Sequence, residues 1–306
     1  MILPGRLEAE LDAALAMAED PTAAPAERAE MLMEIALGLQ QRPRSPDHLV
    51  GALALYDRAL ELCPQTTPLL RARLSARRGT ALQAIPEDGT ASIEAARTAY
   101  DEALPVLSEH GRPEEVAEVE MNLGLVIQYL AGAGRARITD AIAAYQRALR
   151  VFDRARFPAE FAILQNNLAA AFLSIPAVDE AGRMREALAV QAFEEGLKIV
   201  TLADHPSEYA MLQNNLGNAL QYAASGHPRD NNHRAIEAYD EALKVRTRAT
   251  TPLEYANTIA NKANCLINLG DPAAARAYLE EAQAIFADRG DRAKAHIVRE
   301  TLAELG

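Results

Sequence analysis

Six times along the chain a proline opens a segment of one shape. The segments are PAERAEMLMEIALGLQ from Pro25, PLLRARLSARRGTALQ from Pro68, PEEVAEVEMNLGLVIQY from Pro113, PAEFAILQNNLAAAFL from Pro158, PSEYAMLQNNLGNALQY from Pro206 and PLEYANTIANKANCLINLG from Pro252. Successive prolines are 43, 45, 45, 48 and 46 residues apart, and self-similarity at such a period is the mark of stacked supersecondary units. A second phrase follows each: Tyr56 in LYDRALEL, Tyr100 in YDEALPVL, Tyr145 in YQRALRVF, Phe193 in FEEGLKIV, Tyr239 in YDEALKVR and Tyr278 in YLEEAQAIF. The chain reads as an array of two-phrase repeats.

Counted from the proline as zero, apolar or small residues recur at +3, +4, +6, +10, +11, +13 and +14, which at 100° per residue make one stripe. The first phrase is therefore a helix, A. Proline suits its first turn, and an acidic residue at +2 (Glu27, Glu115, Glu160, Glu208, Glu254) favours the helix N-terminus. The small residue at +11 (Gly79, Gly124, Ala169, Gly217, Ala263) marks a close backbone approach to a neighbouring helix. The second phrase, helix B, places an alanine or glycine three residues after its aromatic, at Ala59, Ala103, Ala148, Gly196 and Ala242. Turn-rich links such as AIPEDGTAS, AGAGRARITD, SIPAVDEAG and ASGHPRDNNH join A to B, and Pro105 is expected to kink the second B helix or end it early.

These phrases, NLG-x-A-L followed by A-x-x-x-Y-x-x-A-L, resemble tetratricopeptide repeats in the long form found in kinesin light chains and bacterial arrays. HPSEYAMLQNNLGNALQY and RTRATTPLEYANTIANKANCLINLG are similar to bacterial arrays that accompany CHAT protease-like domains. The resemblance covers residues 25–289, departs at the charged +10 residues Arg78 and Lys262, and lacks the asparagines in the first two repeats. It implies an all-α, right-handed α-solenoid of about six hairpins forming a single domain over 1–306. Amphipathic segments 6–19 and 292–304 would cap the ends.

Composition narrows the function classes. With 49% hydrophobic residues and only 16 glycines the chain has the apolar content of a folded helical protein. No segment reaches the length of a membrane span, and MILPGRLEAE lacks the features of a secretory leader, so a cytoplasmic setting and no membrane partner are expected. A net charge of −12 argues against nucleic acid, whose affinity comes from phosphate neutralisation. Cys63 and Cys265, far apart in the array, are expected to be small buried side chains rather than a disulfide or metal pair. No phosphate loop, nucleophile elbow or zinc-protease helix is present, so neither an enzymatic activity nor a cofactor is expected. His227, Asp230 and His233 read as a solvated loop rather than a metal site, and His205 as a helix-start residue.

The candidate site is the A-helix face opposite the stripe, at +5, +8, +9, +12 and +16, which in tetratricopeptide-like superhelices lines the concave groove. Position +9 holds Arg77, Asn122, Asn167, Asn215 and Asn261; +8 holds Asn166 and Asn214; +12 holds Asn218 and Asn264; +5 holds Arg73 and Asn257; +16 holds Tyr129, Tyr222 and Asn268. Asparagine is a poor helix former, so ten on one face call for a reason. A carboxamide that both donates and accepts suits the backbone of an extended peptide; the alternative is that the amides bond one another and stabilise stacking. On the peptide reading, changing Asn214 and Asn215 weakens binding without altering stability, and Asn218 is neutral for folding. Arg73 and Arg77, one turn apart, are placed to grip an acidic group unless Glu30 and Glu34 neutralise them. The reading is a non-enzymatic adaptor, scaffold or dedicated chaperone for a protein or peptide segment, or else the regulatory, sensing partner of a separately encoded effector such as a CHAT-type protease. The oligomeric state is left open.

Overall fold

The computed structural model describes residues 5–41, 43–86, 89–175, 180–223 and 227–305, and these form fourteen α-helices and no strand. Contacts divide the chain into two compact units, Met1–Val151 and Phe152–Gly306. The first holds α1 (Gly5–Ala18), α2 (Pro25–Gln41), α3 (Pro46–Leu62), α4 (Pro68–Ala84), α5 (Ala91–His110), α6 (Pro113–Gly132) and α7 (Ile138–Ala148). The second holds α8 (Pro158–Leu173), α9 (Glu180–Leu197), α10 (Pro206–Tyr222), α11 (Pro228–Leu243), α12 (Pro252–Leu269), α13 (Pro272–Asp288) and α14 (Arg292–Glu304). The six repeat prolines are the first residues of α2, α4, α6, α8, α10 and α12, where no helical N–H is lost. Pro46, Pro228 and Pro272 start the B helices α3, α11 and α13 in the same way.

Each even-numbered helix from α2 to α12 packs on the helix that follows it, giving six A–B hairpins, three per unit. Within each unit the B helix also packs on the A helix of the next hairpin, α1 lies against α2 and α3, and α14 lies against α13. Of the two outcomes expected at Pro105, an early end does not occur: α5 runs through Pro105 to His110. One buried face of α5 that continues past the proline explains this. Tyr100 and Ala103 before the proline and Leu107 after it are all buried, so packing on both sides offsets the one backbone bond that proline removes.

The hairpins are fastened by the B-helix aromatic. Tyr56, Tyr100, Tyr145 and Tyr239 are wholly buried, and each hydroxyl finds the glutamine at +15 of its own A helix: Gln40 Oε1 at 2.8 Å, Gln83 at 3.1 Å, Gln128 at 2.9 Å and Gln221 at 3.0 Å. Repeat four confirms the logic, because there the aromatic is Phe193, with no hydroxyl to satisfy, and the +15 residue is Leu173. The +11 glycines serve the same rings. A Cβ on Gly79 would stand 2.8 Å from Tyr100 Cε1, one on Gly217 2.6 Å from Tyr239 Cε1, and one on Gly124 would overlap the ring of Tyr145. The close approach is thus helix backbone to tyrosine ring within a hairpin.

The charged residues at the otherwise apolar +10 position have partners of one kind. Arg78 pairs with Asp57 at 2.6 Å and Lys262 with Asp240 at 2.5 Å. In both cases the aspartate directly follows the tyrosine of the preceding B helix, so each departure is half of an ion pair joining two hairpins. Cys63 and Cys265 are buried and free; among the described residues no helix is long and apolar enough to cross a membrane, and no group of three His, Cys, Asp or Glu side chains is placed to hold a metal.

Candidate functional site

In the first unit the candidate face carries charge. Arg73 on α4 donates through Nε and Nη2 to both oxygens of Glu115 on α6, at 2.7 and 3.2 Å, and Arg77 Nη1 donates to Glu118 Oε1 at 2.8 Å. The arginine pair is therefore met by α6 and not by Glu30 and Glu34, as the sequence alone indicated; Glu30 adds only a longer-range attraction to Arg73. Glu115 also accepts from the backbone N–H of Arg112 at 2.9 Å, closing the first turn of α6. The fork from Arg73, more than any other influence, holds its carboxyl well below the ordinary 4.5, down to about 2. Asn122 borders the recess between these pairs, which at about 30 Å³ has room for about one water. On the opposite side of α6 the buried Glu120 accepts both prongs of Arg147, at 2.6 and 2.7 Å.

A depressed carboxylate pKa stabilises the fold at any pH above the unfolded value and loses that contribution as pH falls toward the folded value. For Glu115 the window runs from 4.5 down to about 2. Acid titration of the wild type followed by circular dichroism is expected to show a loss of helix in this window that Glu115→Gln shifts or flattens; identical acid limbs would remove the Arg73–Glu115 pair from the account.

In the second unit the same face is neutral, and its amides hold each other. Asn166 Nδ2 donates to Asn167 Oδ1 at 3.2 Å, Asn215 Nδ2 crosses from α10 to Asn166 Oδ1 at 2.7 Å, and Asn214 Nδ2 donates to Asn215 Oδ1 at 3.0 Å. From α12 the hydroxyl of the fully buried Thr258 lies 3.0 Å from Asn214 Oδ1. A second run links Tyr239 Oη to Asn218 Oδ1 at 2.7 Å and Asn261 Nδ2 to the same oxygen at 2.9 Å. The two runs tie α8 to α10 and α10 to α12. Asn257 donates back to Leu253 O at 2.8 Å, Asn268 donates to Asn232 Oδ1 at 3.1 Å, and Asn264 is half-buried.

Asn167 and Asn214 are themselves buried. Changing Asn214 and Asn215 together to alanine removes both crossings to neighbouring A helices and leaves Asn166 and Thr258 without those partners. A loss of about 1–3 kcal/mol is expected, read as a fall in thermal midpoint. The sequence-based expectation of unchanged stability holds only if the midpoint does not move.

The tyrosines at +16 behave differently. Tyr129 is 51% exposed and Tyr222 70% exposed, and each edges an open apolar recess in its own unit. The first, of about 330 Å³, is lined by Ile85, Pro86, Ile93, Leu125, Val126 and Tyr129, with the tyrosine hydroxyl donating to Gly89 O at 3.2 Å. The second, of about 280 Å³, is lined mainly by Phe172, Leu173, Ile175, Ala219 and Tyr222. The two are built from equivalent positions: an isoleucine at +17 of repeats two and four, a small or branched residue at +13 and a tyrosine at +16 of repeats three and five. Ile85 and Ile175 carry a signal present in the sequence, since +17 is isoleucine only in repeats two and four. It is legible only once repeats are read in pairs.

No family model matches the chain, and no curated protein does. Solved structures do. BtubC (BKLC) from P. vanneervenii is 19% identical over 79% of this chain and 92% of its own, with a TM-score of 0.59. A Signal Transduction ATPase with Numerous Domains protein with a tetratricopeptide repeat sensor, from Pyrococcus horikoshii, is 14% identical over 97% of this chain and 42% of its own, with a TM-score of 0.62. A putative kinesin light chain from Podospora anserina with nearly identical TPR-like repeats is 16% identical over 74% of this chain and 98% of its own, with a TM-score of 0.50. At these identities the likeness is one of fold, and the fold is tetratricopeptide-like.

Proposed function

We propose that this chain is a non-enzymatic adaptor or scaffold that holds a segment of a partner protein against its A helices, and that the partner enters by apolar side chains. The observation that carries the reading is the pair of equivalent recesses edged by exposed tyrosines. Internal packing leaves much of both rings uncovered, and an apolar surface with a polar rim on a soluble protein is the usual setting for recognition. Most amides on the face are occupied with one another, so they set the rigid platform, while Asn122 and Asn264 remain as polar contacts beside the segment. The tetratricopeptide-like fold is consistent with this role, and the net charge of −12 with a partner other than nucleic acid.

The test compares wild type with Tyr129→Ala/Tyr222→Ala as immobilised bait, using quantitative mass spectrometry at low and high salt. Because both rings are largely exposed, the double variant should keep its thermal midpoint to within about 0.5 kcal/mol per site. Partners should drop at least about ten-fold, the equivalent of about 1.4 kcal/mol, and wild-type retention should change little with salt, since apolar contacts are not screened. Equal retention by both baits, or steep loss with salt, would point to another surface.

A further inference from the structure

Seven residues after the B-helix aromatic, five of the six repeats place a buried apolar side chain: Cys63, Leu107, Phe152, Val200 and Ile285. The fifth repeat places Arg246. The +6 column of the A helices shows the matching exception, with Met31, Leu74, Val119, Leu164 and Leu212 followed by Thr258. The two exceptions touch: Arg246 Nη1 donates to Thr258 Oγ1 at 3.0 Å. A core position has exchanged its apolar pair for a cation and a hydroxyl, and burial pulls the guanidinium below its ordinary pKa.

A guanidinium drawn into a fold is costly unless an anion accompanies it. Among the described residues no carboxylate lies within ion-pair reach of Arg246; Glu254, on the first turn of α12, is felt only at longer range. Arg246 Nε and Nη2 have no protein partner and are not sealed from solvent. The loop that follows, Thr247-Arg248-Ala249-Thr250-Thr251, contains no acid, whereas the corresponding loops after α7 and α9 carry Asp153 and Asp204, which bond their own loop residues. Arg248 is drawn toward Glu281 at 3.6 Å and Thr247, Thr250 and Thr251 bond one another, so none of these satisfies Arg246. Behind it, Thr258 lies against Asn214, which carries the amide run through Asn215 and Asn166 to Asn167. Each amide in that run turns its carbonyl oxygen toward the arginine end, so the aligned dipoles favour the charged guanidinium and hold the cation in place.

We infer that Arg246, fixed by Thr258, is a binding site for a small oxyanion, the chemistry shared by a carboxylate and a phosphate. Nε and Nη2 present the two parallel donors that such a group accepts. The site lies between α11 and α12, and it stands whether or not the recesses bind a protein.

The thermal midpoint of the full chain is measured in sodium phosphate and in sodium acetate, each against sodium chloride of equal ionic strength and pH. Wild type is expected to gain stability with the logarithm of anion concentration beyond the chloride control, and acetate against phosphate identifies which source is preferred. Arg246→Leu restores the apolar column and should fold at least as stably in chloride, while the anion response weakens at least about ten-fold. Arg246→Lys, which keeps the charge and loses the fork, should respond in between, and Arg248→Leu should respond as wild type. No gain over chloride in wild type, an unchanged response in Arg246→Leu, or a response lost equally in Arg248→Leu would overturn the assignment.

Discussion

Replacing Tyr239 by alanine is expected to lower stability by about 3–5 kcal/mol, the range for truncating a buried large aromatic. The ring is wholly buried against Gly217, and its hydroxyl lies between Asn218 and Gln221. Tyr239→Phe keeps the ring and removes the hydroxyl shared by Asn218 and Gln221, while Asn218 Oδ1 keeps its bond from Asn261, so about 0.5–1.5 kcal/mol is expected. Urea unfolding of both variants separates ring from hydroxyl. Losses of similar size would mean that the polar end, and not the packing, fastens the hairpin. Phe193→Tyr supplies the converse, since its added hydroxyl would meet Leu173 where repeats one, two, three and five offer glutamine.

Gly217→Leu is expected to cost about 1–3 kcal/mol or more through overpacking, because the first side-chain carbon already falls 2.6 Å from the Tyr239 ring. Gly38→Leu, with nothing within 4 Å of a new Cβ, should be neutral or slightly stabilising, since a helix-interior glycine is replaced by a good helix former. Matching thermal midpoints for the two variants would contradict the ring contact. Asn218→Leu belongs with the destabilising group: its carbonyl oxygen accepts from Tyr239 and from Asn261, which the helical phase alone did not reveal.

The helices were legible because the proline recurs in all six repeats, an acidic +2 residue accompanies it in five, and the apolar stripe recurs with them despite breaks such as Arg78 and Lys262 at +10. The tyrosine and small residue of helix B were legible for the same reason, though what the small +11 residue faces was not: period tells which face of a helix is buried and says nothing of which atoms meet it. The +15 glutamines stood in plain view as LGLQ, TALQ, LVIQ and NALQ, yet their purpose appears only when a buried hydroxyl is placed beside them. At the candidate face the sequence located the polar columns and left their partners open. Arg73 and Arg77 have carboxylates on two sides at comparable sequence distance, and only packing decides that α6 supplies the bonds. The doubled asparagines had two readings, and side-chain reach across 49 residues, as between Asn166 and Asn215, is not written in any local pattern. At Pro105 local propensity alone allows an early helix end, and the burial of Tyr100, Ala103 and Leu107 on both sides of it carries the helix through.

Equivalent A-helix positions carry two incompatible dialects, one in each unit: carboxylate answering guanidinium from α4 to α6, and amide answering amide from α8 to α12. Repeats of such similar outline are therefore not interchangeable bricks. Moving the second repeat behind the fifth would set Arg73 and Arg77 against amides and leave Glu115 and Glu118 without their cations, a mismatch that opposes shuffled or slipped stacking. The order of the hairpins is addressed in their side chains, so whoever wishes to lengthen, shorten or permute this array must cut where the address changes and carry each pair of neighbours together.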